Sequence, residues 1–235
     1  MEDMERYGDY NEVDGDEGRA KSPVALILKI LVIALCFLVV GVILFRVILF
    51  NYYPKAMKNI YFDSELSEYY AKTSGDIGAK TQKLRAPYDD PDFASFFADN
   101  LIIIEGVGQL QFSLRYNSSA LEAIEEKYGV ELSGSADELF DITLERVPFG
   151  SESDPASVGT LIHTETDSAL MYTYIKLVFD GVDYLDPGTP DWLRVKIAVR
   201  DIPEAEPYYI LVYENTDEYS LFSEYKLSGK ERPND

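Results

Sequence analysis

Few side chains in this 235-residue chain can act as nucleophile, proton carrier or metal ligand in the usual combinations. A serine or cysteine hydrolase needs a base poised beside its nucleophile. The chain has one histidine, His163, and one cysteine, Cys36. Cys36 lies inside a long apolar run and His163 among polar neighbours on an expected strand, so they cannot serve one another. No nucleophile-elbow motif surrounds a serine. Structural zinc draws on clusters of cysteine and histidine, and the same count excludes it. The pair Gly106 and Gly108 falls between two expected strands instead of opening a helix, so it does not read as a phosphate cradle.

Oxygen chemistry is left. Calcium takes carboxylate and carbonyl oxygens. Asp180, Asp183 and Asp186, in FDGVDYLDP, are the candidate ligands, with a second loop cluster at Asp89, Asp90 and Asp92. Neither follows the twelve-residue order of an EF-hand, and loop acids also serve simply as turn formers. Paired carboxylates can hydrolyse glycosides. With 42 acidic residues in the chain, however, neighbouring acids are unavoidable in any fold, and their number selects nothing. We therefore expect no catalytic residue, no cofactor and no enzyme. The other candidate chemistry is recognition by tyrosine. Tyr172, Tyr174, Tyr184, Tyr208, Tyr209 and Tyr213 lie on or beside the C-terminal strands, with Tyr219 and Tyr225 beyond them. Tyrosines on an open sheet face bind peptides or sugars; the same residues also pack well when half-buried.

The elements that must position these groups begin with Val24 to Phe50, which carries only two charges, Lys29 and Arg46. As a helix it would be roughly 40 Å long, against a hydrocarbon layer of about 30 Å. Both charges lie toward the ends, where long stems reach the headgroups. The acidic start and the absence of an A-x-A site after the run favour an uncleaved span over a signal peptide. Tyr52 and Tyr53 suit an interfacial belt. Lysines and arginines flank the run almost evenly, so orientation follows from architecture: a short tail, one span and a long domain, the layout of a signal-anchor protein whose C-terminal domain is extracytoplasmic.

Of the net charge of −21, −18 falls on residues 51–235. Such a domain is repelled by nucleic acid. The lack of cysteine outside the span means it has no disulfide. We expect an acidic, disordered tail over 1–23, the span over 24–50, a juxtamembrane helix over 54–72 and extended linker over 73–92 within a connecting segment 51–92, and a β domain over 93–235.

From residue 93 the apolar period becomes two. Leu110, Phe112, Leu114 and Tyr116 alternate with Gln109, Gln111, Ser113 and Arg115, a half-buried strand with its polar row toward water. Phe140, Ile142 and Leu144 form a second such row, and Leu193, Val195, Ile197 and Val199 another. Residues 160–166 and 169–182 read as two strands joined at Asp167-Ser168, and 118–129 as one short helix capped by Ser118 or Ser119. Seven or eight strands with one helix predict a mainly β chain: a single transmembrane helix followed by an antiparallel β-sandwich of immunoglobulin- or fibronectin-like type. The expected function is display of that sandwich at the cell membrane for a protein, peptide or glycan ligand. The alternatives are a membrane-anchored, carboxylate-dependent hydrolase and a structural subunit of a membrane complex.

Overall fold

A computed structural model describes residues 23–51, 53–82, 84, 96–148, 155–182, 191–214, 223–227 and 231–233. The chain divides after Asn51 into two units, each with its own internal contacts. The first contains α1, Pro23–Asn51. Proline is at home in a first helical turn, and only Gly41 interrupts the branched and aromatic residues that follow. The apolar stretch Leu26–Ile48 has a mean hydropathy of 3.1 and buries none of its surface in protein. It is long and apolar enough to cross a bilayer, a property shared with N-terminal signal sequences.

The second unit, 52–235, is mainly β. Its ten strands in chain order are β1 (Lys80–Gln82), β2 (Phe97–Ile104), β3 (Gln109–Asn117), β4 (Phe140–Val147), β5 (Ala156–Ser157), β6 (Thr160–Ala169), β7 (Tyr172–Asp180), β8 (Trp192–Val199), β9 (Tyr208–Glu214) and β10 (Ser223–Glu224). All pairings are antiparallel. They make a six-stranded sheet, β10-β1-β2-β3-β7-β6, and a four-stranded sheet, β5-β4-β8-β9. One face of each sheet meets the other in a common core. Leu110, Phe112 and Leu114 of β3 and Ile175, Leu177 and Phe179 of β7 join Val195, Ile197 and Ile210 from the smaller sheet. Phe112 and Phe179 stack with centroids 5.9 Å apart, and Phe96 touches Tyr116, Phe140 and Tyr208 at 5.3–5.5 Å. The helix α4 (Ser118–Tyr128) adds Ala120 and Ile124 to this core. Its cap is Asn117, not the following serines: the Asn117 side-chain oxygen accepts from the Ala120 amide at 3.1 Å. A four-residue helix, α5 (Ala136–Leu139), precedes β4 behind a capping box of Ser135 and Glu138.

Two local readings are revised. The hairpin between β6 and β7 turns at Leu170 and Met171, not at Asp167-Ser168, with Ala169 opposite Tyr172. Extending β6 to Ala169 puts that residue on the buried face; a tighter register would turn it outward. The connecting segment is also not one helix and a linker. It forms α2 (Lys55–Lys58) and α3 (Ser64–Lys72), broken because Asp63 ends an extended stretch and caps α3, accepting from the Leu66 amide at 2.7 Å. Gly75 and Gly78 then take φ of 90° and 61°, in the left-handed region where glycine carries no Cβ penalty. The chain turns back, Ile77 and Ala79 are buried, and residues 80–82 pair between β2 and β10. The expected linker is thus in part a strand of the larger sheet.

Candidate functional site: a lysine cleft on the outer face of the larger sheet

The segment 53–79 lies over the face of the six-stranded sheet that points away from the core. Ile60, Leu66, Ile77 and Ala79 cover Ile102 and Ile104, and Met57 covers Tyr174 and Ala169. Between these apolar patches runs a buried polar row. Gln109, Gln111 and Ser113 of β3 have 0% of their surface exposed, and Lys176 of β7, directly across from Ser113, has 2%. Every one of the four is matched to the covering segment. The Gln111 amide donates to the Tyr61 carbonyl at 2.9 Å and accepts from the Tyr61 N–H at 2.8 Å. Gln109 donates to Asp63 at 3.0 Å and accepts from Gln111 at 2.7 Å. The Ser113 hydroxyl donates to the Met57 carbonyl at 3.2 Å, and the Lys176 ammonium to the Ala56 carbonyl at 3.3 Å. The row expected to face water thus reads the backbone of residues 56–63 as a paired strand would.

Where that cover thins, an open cleft of about 340 Å³ is left, lined among others by Asn59, Tyr61, Glu165, Lys176, Glu231 and Arg232. Lys176 forms its floor. Burial pulls its pKa from 10.5 down to about 8, while Glu165 and Glu231 oppose the fall. Glu165 is its cross-strand partner on β6. Glu231 is buried, accepts from the Tyr225 hydroxyl and, with the Asn59 amide nitrogen turned toward it, from Asn59 at 3.0 Å. Burial first and Glu231 second raise the pKa of Tyr225. At the rim, Tyr61 stacks on His163, centroids 3.8 Å apart and planes 6° from parallel. Burial lowers the His163 pKa although Glu165 lies 4.0 Å away. A larger hollow, about 480 Å³, between α3 and the turn at 105–107 is walled by exposed groups such as the paired Glu68 and Lys72. It holds no buried ionisable group, so the Lys176 cleft is the stronger candidate.

In chemical terms the cleft combines a desolvated amine, two carboxylates, an amide and an aromatic pair. Such a set can hydrogen-bond a polar ligand with both donors and acceptors while a ring packs on its apolar face.

The tyrosines do not form one surface. Tyr174 is fully buried under Tyr53, their rings 5.1 Å apart. Tyr172 is half-buried with Arg115 5.2 Å from its ring. Tyr208 is in the core between the sheets. Tyr209 lies exposed on the other side of the smaller sheet, with Arg194 4.1 Å from its ring. Tyr213 belongs to β9, and Tyr184 lies outside the described residues. Of the calcium candidates, Asp180 ends β7 opposite Thr160, while Asp183, Asp186 and the cluster at 89–92 lie outside the described residues. Among the described residues no three acidic, histidine or cysteine side chains converge as a metal site would require.

Sequence reasoning passed over Lys176, although a signal was present. YTYIKLVF carries one charge in a strand otherwise apolar on both faces, and such a charge is buried only with partners. Glu231, near the C-terminus, gave no comparable signal. Comparison with protein-family models, with curated proteins and with solved structures finds no match to this chain.

Proposed function

We propose that this chain is a single-pass membrane protein that holds an acidic β domain at the outer surface of a cell membrane, where it binds a protein, peptide or glycan without chemical turnover. The observation that carries the reading is the pairing of two independent units: an apolar helix whose stretch Leu26–Ile48 buries nothing in protein, and a domain whose core is complete without it. A helix apolar on all sides is stable only when lipid covers it. The Lys176 cleft supplies the ligand chemistry, because its mixed donors and acceptors suit a hydroxyl-rich or peptide ligand. The relation to immunoglobulin- or fibronectin-like sandwiches rests on two antiparallel sheets over one core; the six-plus-four partition differs from the usual seven strands.

The test uses the full chain reconstituted in nanodiscs. Resistance to alkaline extraction from cells and protease access to the domain from outside check the anchor. Glycan and peptide arrays check the ligand, with Lys176→Met as the paired variant. Retention that drops at least tenfold in the variant supports the cleft as the site; an array on which both bind alike, or not at all, refutes it. A second reading, carboxylate-dependent hydrolysis, is favoured only by Glu165 and Glu231 lining the same cleft. Turnover of an array ligand that Glu165→Gln and Glu231→Gln both abolish would establish it in place of simple binding.

A further inference from the structure

Apart from α1, the described residues expose only four large apolar side chains strongly: Ile162, Leu170, Met171 and Tyr209. Two of them are adjacent, forming the tip of the β6–β7 hairpin, Leu170 at 60% and Met171 at 54% exposure. Leu170 has a φ of 60°, a conformation that glycine or asparagine takes far more readily. A branched apolar residue kept in a left-handed turn and pointed at solvent is an outlier from which function can be inferred.

Its surroundings indicate the partner. The base of the hairpin, Ala169, Tyr172 and Tyr174, packs with Tyr53, Ala56 and Met57. Tyr53 follows Asn51, the last residue of α1, by two positions, and a chain advances at most about 3.6 Å per residue. Whatever angle the helix takes, a bilayer that holds α1 therefore has its surface at this end of the domain. The charge here also departs from the rest. Lys55 and Lys58 are exposed, Lys58 5.6 Å from the Tyr53 ring, and Arg115 lies beside Tyr172. Against these stand Asp99 and Asp167, leaving a small positive balance in a unit whose net charge is −18. Apolar tip, tyrosines and lysines together are the composition of the headgroup boundary.

We propose that the Ala169–Tyr172 hairpin is a membrane-contacting finger: Leu170 and Met171 enter the boundary between headgroups and acyl chains, and Lys55 and Lys58 meet lipid phosphates. The inference rests on the membrane-anchored reading of α1 and adds a second contact that orients the domain on the lipid surface.

An environment-sensitive fluorophore placed on Met171→Cys, in a Cys36→Ser background, is compared in phosphatidylcholine nanodiscs with the same fluorophore on Thr160→Cys. Thr160 begins β6, about 30 Å from the hairpin tip at the rise of a strand. Quenching by lipids carrying a nitroxide near the headgroup is read at both sites, and at native Cys36 in a third sample labelled in detergent. Quenching at 171 that exceeds that at 160 by about threefold or more supports the finger. A smaller difference, with Cys36 quenched, overturns it while leaving the anchor intact. Absence of quenching at Cys36 overturns the anchored reading and the finger with it. As the folding control, Leu170→Gly with Met171→Ser suits the turn's backbone; with the fluorophore on Ser168→Cys, it should abolish the lipid quenching seen there without the two changes. Unchanged quenching at 168 overturns the role of the two apolar side chains.

Discussion

At the scale of the residue, the most consequential placement is Lys176. Its charged form is disfavoured in the folded chain, with a pKa of about 8 against 10.5 when solvated. Between those values the unfolded chain holds a proton that the folded chain has shed, so stability should rise as pH increases from 8 toward 10. Above 10 the trend should reverse. Burial raises the pKa of Tyr208 to about 12 and also raises those of Tyr53, Tyr174 and Tyr225. These hydroxyls ionise earlier in the unfolded chain, and their stabilising contribution is lost as pH climbs. A urea-melt series on the full chain in micelles should therefore peak near pH 10. Lys176→Met should flatten its rise and add about 2 kcal/mol at pH 7: roughly 3 from the shift at about 1.4 per pH unit, less about 1 for the hydrogen bond to Ala56. His163 acts on the other side of neutrality. Its pKa is depressed, so stability should fall as pH drops below about 6.5. Leu170 is a second telling residue. Replacing it by glycine relieves about 1–2 kcal/mol of left-handed strain at an entropic cost of about 0.5–1. Leu170→Gly should thus raise the unfolding midpoint slightly; a lowered midpoint would mean the leucine side chain holds the turn.

At the scale of the element, the decisive feature is the polar row of β3. Its alternation is visible in the sequence, and the inner row Leu110, Phe112, Leu114 and Tyr116 is buried as that alternation implies. The other row, Gln109, Gln111 and Ser113, is equally buried, because residues 56–63 lie on it and exchange hydrogen bonds with it. A polar residue at every second position looks identical whether water or a backbone satisfies it, and the partner lies some fifty residues away in sequence. Gln111→Ala should cost about 1–3 kcal/mol by stranding the Tyr61 amide and carbonyl. Leu66→Ala, which empties a fully buried site in the cover, should cost about 2–5. Limited proteolysis reads both: the covering segment 53–79 should become cleavable before the strands do, and simultaneous cleavage of cover and strands would show that they unfold as one.

At the scale of the whole molecule, the covering segment shifts where the β unit begins. The unit starts at Tyr52, ahead of the first strand that periodicity reveals. A chain of residues 52–235 should melt in one cooperative transition. One of residues 93–235 lacks Met57, Ile60, Leu66, Ile77 and Ala79 and exposes Ile102, Ile104 and Tyr174. It should aggregate or melt at least 10 °C lower, since a loss of several kcal/mol moves the midpoint of a domain this size by about 2–4 °C each. Equal midpoints would show the cover to be dispensable.

Length, hydropathy and period-two rows were enough, from the sequence alone, to predict an apolar helix able to cross a bilayer and a mainly β, strongly acidic remainder. Those are properties of neighbouring residues, and neighbours settle them. Which tyrosines are buried, what covers the glutamine row, where the β6–β7 hairpin turns and how Lys176 comes to lie beneath a cleft with Glu165 and Glu231 were decided only by the tertiary structure. Each depends on a partner distant in the chain, and a side chain's burial, pairing and ionisation belong to the site it shares, not to the stretch of sequence that carries it.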